Sequence, residues 1–145
     1  MINLAEYLEY WEKAVARVPL ITGILPVTVD EAMAKKIAAL KIGSVTLFVL
    51  PPAAESEAKN ADNFKEGNEC VVFIMEKYDS QRRTAWSVLE SSQEAVEKLK
   101  TCMLEDLATG CPIIRFDVAT LNTLPETQFF AGFAGWSIGF KITTQ

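Results

Sequence analysis

From Trp136 to Ile142 every second residue is apolar: Trp136, Ile138, Phe140 and Ile142 alternate with Ser137, Gly139, Lys141 and Thr143. Successive side chains of a strand point to opposite faces, so this alternation predicts a half-buried strand. It lies in the last apolar stretch, Phe129 to Ile142, and can pair only with a sheet edge made by the preceding chain. We therefore expect it to close the fold. Near the other end Leu4, Leu8, Trp11, Val15 and Val18 recur at alternating intervals of four and three, the spacing of one helical face. Asn3 and Glu6 have the spacing of a capping box, Glu9 and Lys13 stand four apart on the wet side, and Pro19 ends the element.

Between these ends the pattern changes several times. Residues 20–29 mix Ile21, Ile24 and Leu25 with Gly23 and Pro26, which predicts a loop with at most a short extended piece. Thr28 with Glu31, or Asp30 alone, can cap a short helix whose inner face is Met33, Ile37 and Leu40, with Gly43 closing it. Val45–Leu50 and Cys70–Met75 follow as strands that are apolar on both faces. Such strands must be covered twice, by helices on both sides or by helices and a partner, and this is the main sequence hint of an oligomer. The stretch PPAAESEAKNADNFKEGNE separates them. It opens on Pro51-Pro52 and holds one large apolar residue, Phe64, so we read it as a solvated, disordered excursion that Phe64 could anchor to a partner.

Residues 79–90 fit either a strand extension or an early helix. Ser91 or Ser92 starts the clearest later helix, with Val96, Leu99, Met103 and Leu107 inward, Glu94 and Lys98 outward, Gly110 as the stop and Pro112 beyond it. Ile114, Phe116 and Val118 alternate with Arg115 and Asp117 as a further strand, and a turn region with Asn122 and Pro125 leads to the last one. The expected architecture is one α+β domain over residues 1–145: a four-stranded, mostly antiparallel sheet with about three helices, in the order α-α-β-β-α-β-β.

Charge and composition narrow the function. Nineteen acidic against 14 basic residues leave a net charge of −5, and the longest basic clusters are the pairs Lys35-Lys36 and Arg82-Arg83. Phosphate neutralisation by a basic stripe is not available, so nucleic acid is not an expected partner. The N-terminal acids break the apolar positions too often for an export signal, and no run reaches the length of a membrane span. We expect a cytoplasmic protein with no membrane partner. Cys70, Cys102 and Cys111 are odd in number and lack CxxC spacing, which suggests three free thiols in or near the core.

The chain contains no histidine. Triads built on imidazole and the commonest metal ligand are thereby excluded, and three scattered cysteines make a poor zinc site. Most carboxylates fall on wet helix faces, Glu105 and Asp106 point apart, and Arg115 with Asp117 reads as an exposed ion pair. Gly132, Gly135 and Gly139 precede or lie within a strand rather than a strand-to-helix turn, so they suggest close backbone approach or a bulge, not a phosphate loop. Trp11, Trp86 and Trp136 suggest core or interface more than a ligand platform. No catalytic residue, cofactor or metal is expected.

The terminal stretch GFAGWSIGFKI, with the N-terminal amphipathic helix and a small antiparallel sheet crossed by a helix, is similar in element order to small tail-terminator, neck or tail-completion proteins of bacterial prophages. The resemblance implies a non-enzymatic subunit that assembles, as a ring, at the end of a tail tube or a head-tail junction, and so resides in the cytoplasm or in the virion. Its partners would be copies of itself or other assembly proteins. Candidate interface residues are Leu4, Leu8, Trp11 and Val15 on the first helix, Phe64 on the excursion and Trp136 on the last strand. The alternative is a small-ligand-binding or regulatory α+β module with an apolar pocket around Phe48, Phe73 and Trp86. An enzyme using only carboxylates, lysines or a cysteine ranks third.

Overall fold

The structure is a computed structural model that describes residues 1–28, 31–128 and 131–144. In chain order it contains α1 (Leu4–Ala16), β1 (Gly23–Pro26), α2 (Glu31–Ala38), β2 (Val45–Val49), β3 (Ala53–Ser56), β4 (Glu66–Lys77), α3 (Ala85–Ala108), β5 (Asn122–Glu126) and β6 (Phe133–Thr144). The α+β class and the three helices agree with expectation. The sheet has six strands rather than four, in the order β1-β2-β4-β6-β5, with β3 also paired to β4. It is mixed, since β1 runs parallel to β2 while the other pairs are antiparallel.

Asn3 caps α1 through its side-chain oxygen, which accepts the Glu6 N–H at 3.0 Å. Thr84 caps α3 in the same way, accepting the Ser87 N–H at 3.1 Å. Residues 79–90 therefore resolve into a turn and the first turns of α3, which starts ahead of Ser91. That helix is 24 residues long, about 36 Å at 1.5 Å per residue. Gly110 follows it with φ +80°, a conformation open to glycine but strained for other residues. The Asp30 and Phe129 positions of the sequence reading lie outside the described residues.

The closing strand forms as expected and pairs with β4 from Glu66↔Thr144 to Lys77↔Phe133. Gly135 permits that pairing: a Cβ there would lie 2.0 Å from the Ile74 carbonyl oxygen. The strand expected at Ile114–Val118 is not present. Phe116 makes one isolated bridge to Ile142, and Asp117, instead of facing Arg115 as an ion pair, caps a short 3-10 turn by accepting the Ala119 N–H at 3.0 Å. Ile114 and Phe116 are buried without a ladder. The neighbour of β6 is β5, drawn from the region read as a turn; at a sheet edge Pro125 is tolerated because its missing N–H can face away from the ladder. The same reasoning admits β1, with Pro26, at the opposite edge.

Two helices cover one face of the sheet. Leu47, Val72, Ile74, Ile138 and Phe140 pack there with Tyr7, Trp11 and Ala14 of α1 and Val96, Leu99 and Met103 of α3. On the other face Phe48, Phe73, Met75 and Phe133 form a smaller cluster, packed against Leu25, Val27, Ile37 and Leu40. Strands β2 and β4 are thus covered twice by their own chain, α2 supplying the second cover. Their two-sided apolarity does not require a partner.

Candidate functional site

The excursion between β2 and β4 is not a structureless loop. Its first part is β3, paired from Ala53↔Glu69 to Ser56↔Glu66, and the Glu57 N–H donates to the Lys65 carbonyl at 2.7 Å in the same register. Pairing of β2 with β4 ends at Val49↔Val72 and resumes at Ala53↔Glu69, so residues 50–52 oppose only residues 70–71. One extra residue makes a bulge, placed at Pro51-Pro52 where two prolines cannot donate to a ladder. The result is a hairpin arm. All four residues of β3 are exposed. At the arm's end Asn60 caps a short turn by accepting the Asn63 N–H at 3.1 Å, and Phe64 follows, 49% exposed. An ion pair between Glu57 and Lys141 ties the arm to β6 and raises the lysine pKa through the shared hydrogen bond.

An apolar groove lies at the base of this arm. Leu4, Tyr7 and Leu8 of α1 form one wall; Pro26, Val27 and Thr28 after β1, with Val49, Leu50 and Pro51, form the rest, enclosing about 170 Å³. The 3.6-residue period of α1 places its three groove residues on one side, and Leu4 is 54% exposed. Deeper under α1, the Tyr7 hydroxyl and the Trp11 indole nitrogen are buried and lie close to one another and to Cys70, without a hydrogen bond of normal geometry among the described residues. Burial is the main cause that raises the Tyr7 pKa, and it also lifts the neighbouring Cys70 thiol to about 11, so both groups stay neutral.

Two polar clusters stand apart from the groove. Asp106 on α3 accepts both Arg17 guanidinium nitrogens, at 2.9 and 2.6 Å, and the Tyr10 hydroxyl at 2.7 Å. The arginine holds the Asp106 pKa below its usual range, while burial and then Asp106 raise that of Tyr10. On β4 the buried Glu76 pairs with Arg83, and the Ser91 hydroxyl donates to its other oxygen at 3.2 Å. Each carboxylate has its charge and oxygens engaged, which suits joining helices to one another or to the sheet. Among the described residues no group of three Cys, Asp or Glu side chains could hold a metal ion, and no helix is long and apolar enough to cross a membrane.

The six residues singled out as interface candidates separate. Leu4 and Leu8 come together in the groove and Phe64 stands on the arm. Trp11 is wholly buried, its ring 5.1 Å from that of Tyr10 and 6.1 Å from Phe140, so in the folded chain it is a core residue and not a surface anchor. Val15 is half-buried against the same core. Trp136 is half-buried too, its N–H donating to the Leu89 carbonyl at 3.1 Å. The pocket expected around Phe48, Phe73 and Trp86 does not form: Phe48 and Phe73 are buried under α2, whereas Trp86 is 72% exposed and donates to Glu90. The groove residues missed in the sequence are Tyr7, Pro26, Val27, Thr28, Val49, Leu50 and Pro51. Pro51-Pro52 after an apolar strand was the available signal, marking where the ladder with β4 is interrupted.

All three cysteines are free, with Cys70 and Cys102 buried and Cys111 half-buried. No protein-family model matches the chain, and no curated protein matches it.

Proposed function

We propose that this protein is a non-enzymatic assembly subunit that associates with copies of itself or with other assembly proteins. The observation that carries the reading is the hairpin arm. Ordering each of its residues costs about 1–2 kcal/mol of backbone entropy, and β3 is the outer strand of a sheet that continues behind it through β4 and β6, an exposed edge of the kind that templates pairing with another chain. All four β3 residues are exposed in this chain. A partner laid against the arm would supply the missing burial, with Phe64 as the apolar contact. The prophage tail-terminator, neck and tail-completion proteins that the terminal strand and element order resemble suggest a ring as the form of assembly, acting in the cytoplasm and retained in the virion. The groove itself, at about 170 Å³, is smaller than the 300–1,000 Å³ usual for small-molecule pockets.

Light scattering behind size exclusion, over a wide range of protein concentration and followed by electron microscopy of the large fractions, tests the proposal. A concentration-dependent rise in mass to a closed particle is the expected result. A strict monomer at every concentration, with no complex formed on mixing with the products of neighbouring genes, would refute it.

A further inference from the structure

Resting on the assembly reading, we propose that the outer edge of β3 docks an extended, basic segment of another protein, which joins the sheet as a further strand. The ladder shows which backbone groups are on offer. The Glu57 N–H donates to the Lys65 carbonyl in the register that pairs Glu55 with Gly67 and Ala53 with Glu69, so these three residues turn their backbone groups toward β4. Ala54 and Ser56 alternate with them and turn theirs outward. Along β2 the same edge is covered by β1, as far as the Val27 N–H that donates to the Val49 carbonyl at 2.8 Å. Among the described residues no strand continues that row along β3.

The edge at β5 is closed by comparison. The Lys141 N–H donates to Thr120 Oγ1 and the Lys141 carbonyl accepts the Asp117 N–H, so by alternation Gly139, Ser137 and Gly135 turn toward β5 and meet Asn122, Leu124 and Glu126. Thr123 and Pro125 are left facing out, and Pro125 has no N–H to give. Strand β3 carries neither proline nor lysine, and Ala53, Ala54 and Ser56 are too small to obstruct a neighbour.

Charge names the occupant. Glu55 shares its face of the sheet with Glu57 and Glu69, and all three act on the Lys141 ammonium, Glu57 through an ion pair and the others through their fields. Three carboxylates around one lysine leave an acidic surface beside the open edge. A second copy fits it poorly, because antiparallel pairing of β3 with itself must match outward residues with outward residues. Ala54 against Ser56 sets Glu55 opposite Glu55, and Ser56 against Ser56 sets Glu55 opposite Glu57. Ala54 against Ala54 sets Pro52 opposite Ser56, where a ladder bond is lost. Like charges directly opposite destabilise a pair, whereas a lysine or arginine of the incoming strand opposite Glu55 stabilises it. The chain's own basic pairs lie in α2 and in the turn before α3, not in a strand, so the segment belongs to another protein.

The test titrates the isotope-labelled full chain with a short capped peptide in which lysine and valine alternate, and with a control that carries glutamate for lysine. The lysine peptide should bind saturably with a Kd below about 1 mM and slow amide exchange at Ala54 and Ser56 by about tenfold or more, while the glutamate peptide should not bind. Ala54→Pro removes one outward N–H and leaves the bonds to β4 intact, and Glu55→Lys reverses the charge. Each should weaken binding by about tenfold or more. Both positions are exposed, and should A54P misfold, the exchange at Ala54 and Ser56 in the parent carries the same information. A lysine peptide that binds A54P and the parent alike, or protects neither amide, is held by surface charge alone and overturns the proposal. So does the absence of saturable binding, or self-association of the parent that A54P abolishes, which would make a second copy the occupant. If the peptide fails while light scattering shows a closed particle, the docking falls and the assembly reading stands. A strict monomer that forms no complex with neighbouring gene products refutes that reading itself.

Discussion

Gly135→Ala should be among the most damaging single-methyl additions to this chain. Gly135 sits between two strands, opposite Met75 on β4 and Glu126 on β5. An added Cβ would lie 2.0 Å from the Ile74 oxygen and 2.9 Å from both the Ile74 carbonyl carbon and the Met75 Cα. Carbon and oxygen rest at about 3.3 Å or more, so the strands would have to part by about 1 Å. Overpacking a core costs about 1–3 kcal/mol where side chains can yield. Here the obstacle is backbone, and its retreat weakens ladder hydrogen bonds worth about 1 kcal/mol each. We expect a loss of about 3–5 kcal/mol, seen in urea denaturation followed by tryptophan fluorescence with an unchanged slope. At about 4 °C per kcal/mol the thermal midpoint would fall by about 12–20 °C. Gly139→Ala is the internal control. It lies on the same face of the same strand, but its nearest neighbours are the Asn122 amide atoms at 3.0 and 3.1 Å, which can rotate away. Its cost should be about 1 kcal/mol or less. If G135A is as stable as G139A, the close approach of β4 and β6 at this point is wrong.

Two further predictions separate core from surface. Trp11→Ala should cost about 3–5 kcal/mol, because it empties a fully buried site in contact with Tyr7, Tyr10 and Phe140, whereas Trp86→Ala should change stability by less than about 0.5 kcal/mol; comparable thermal midpoints for the two would count against the packing of α1. Asp106→Asn should cost about 1 kcal/mol at pH 7, the modest value reflecting an arginine 44% exposed to water. Its pKa is depressed in the folded chain by Arg17, so this contribution is present above the ordinary carboxylate range near 4 and is lost as pH falls through the lower folded value. The urea midpoints of parent and D106N should therefore converge between pH 5 and about pH 2, and a gap that stays constant would show that the carboxylate charge is not what matters.

The helices were legible where local signals agree. The period of α1, its Asn3 cap and the Gly110 stop of α3 each act within a few residues, and each appears in the structure at its predicted position. The start of α3 was undecided because Thr84 is a weaker cap in sequence than the serines beyond it, and in the structure it is Thr84 that caps the helix, which begins at Ala85. Of the candidate site, Leu4, Leu8 and Phe64 could be named from exposed apolar character on elements with little else to bury them. Trp11 could not be told from them, since α1 carries its buried and its exposed leucine-type positions on one stripe.

By itself the sequence determined the periodicities: which segments alternate, where chains of hydrogen bonds must stop, and that strands β2 and β4 bury both faces. Those are properties of neighbouring residues and of backbone geometry. Tertiary structure decided what each face meets. That α2 rather than a partner covers the second face, that β3 is an ordered strand, and that Asn122–Glu126 forms a strand where one was expected at Ile114–Val118 all depend on pairings between distant segments. Short, polar or proline-bearing stretches such as β1, β3 and β5 have too little intrinsic strand preference to announce themselves, and they become strands because an adjacent strand offers them a ladder.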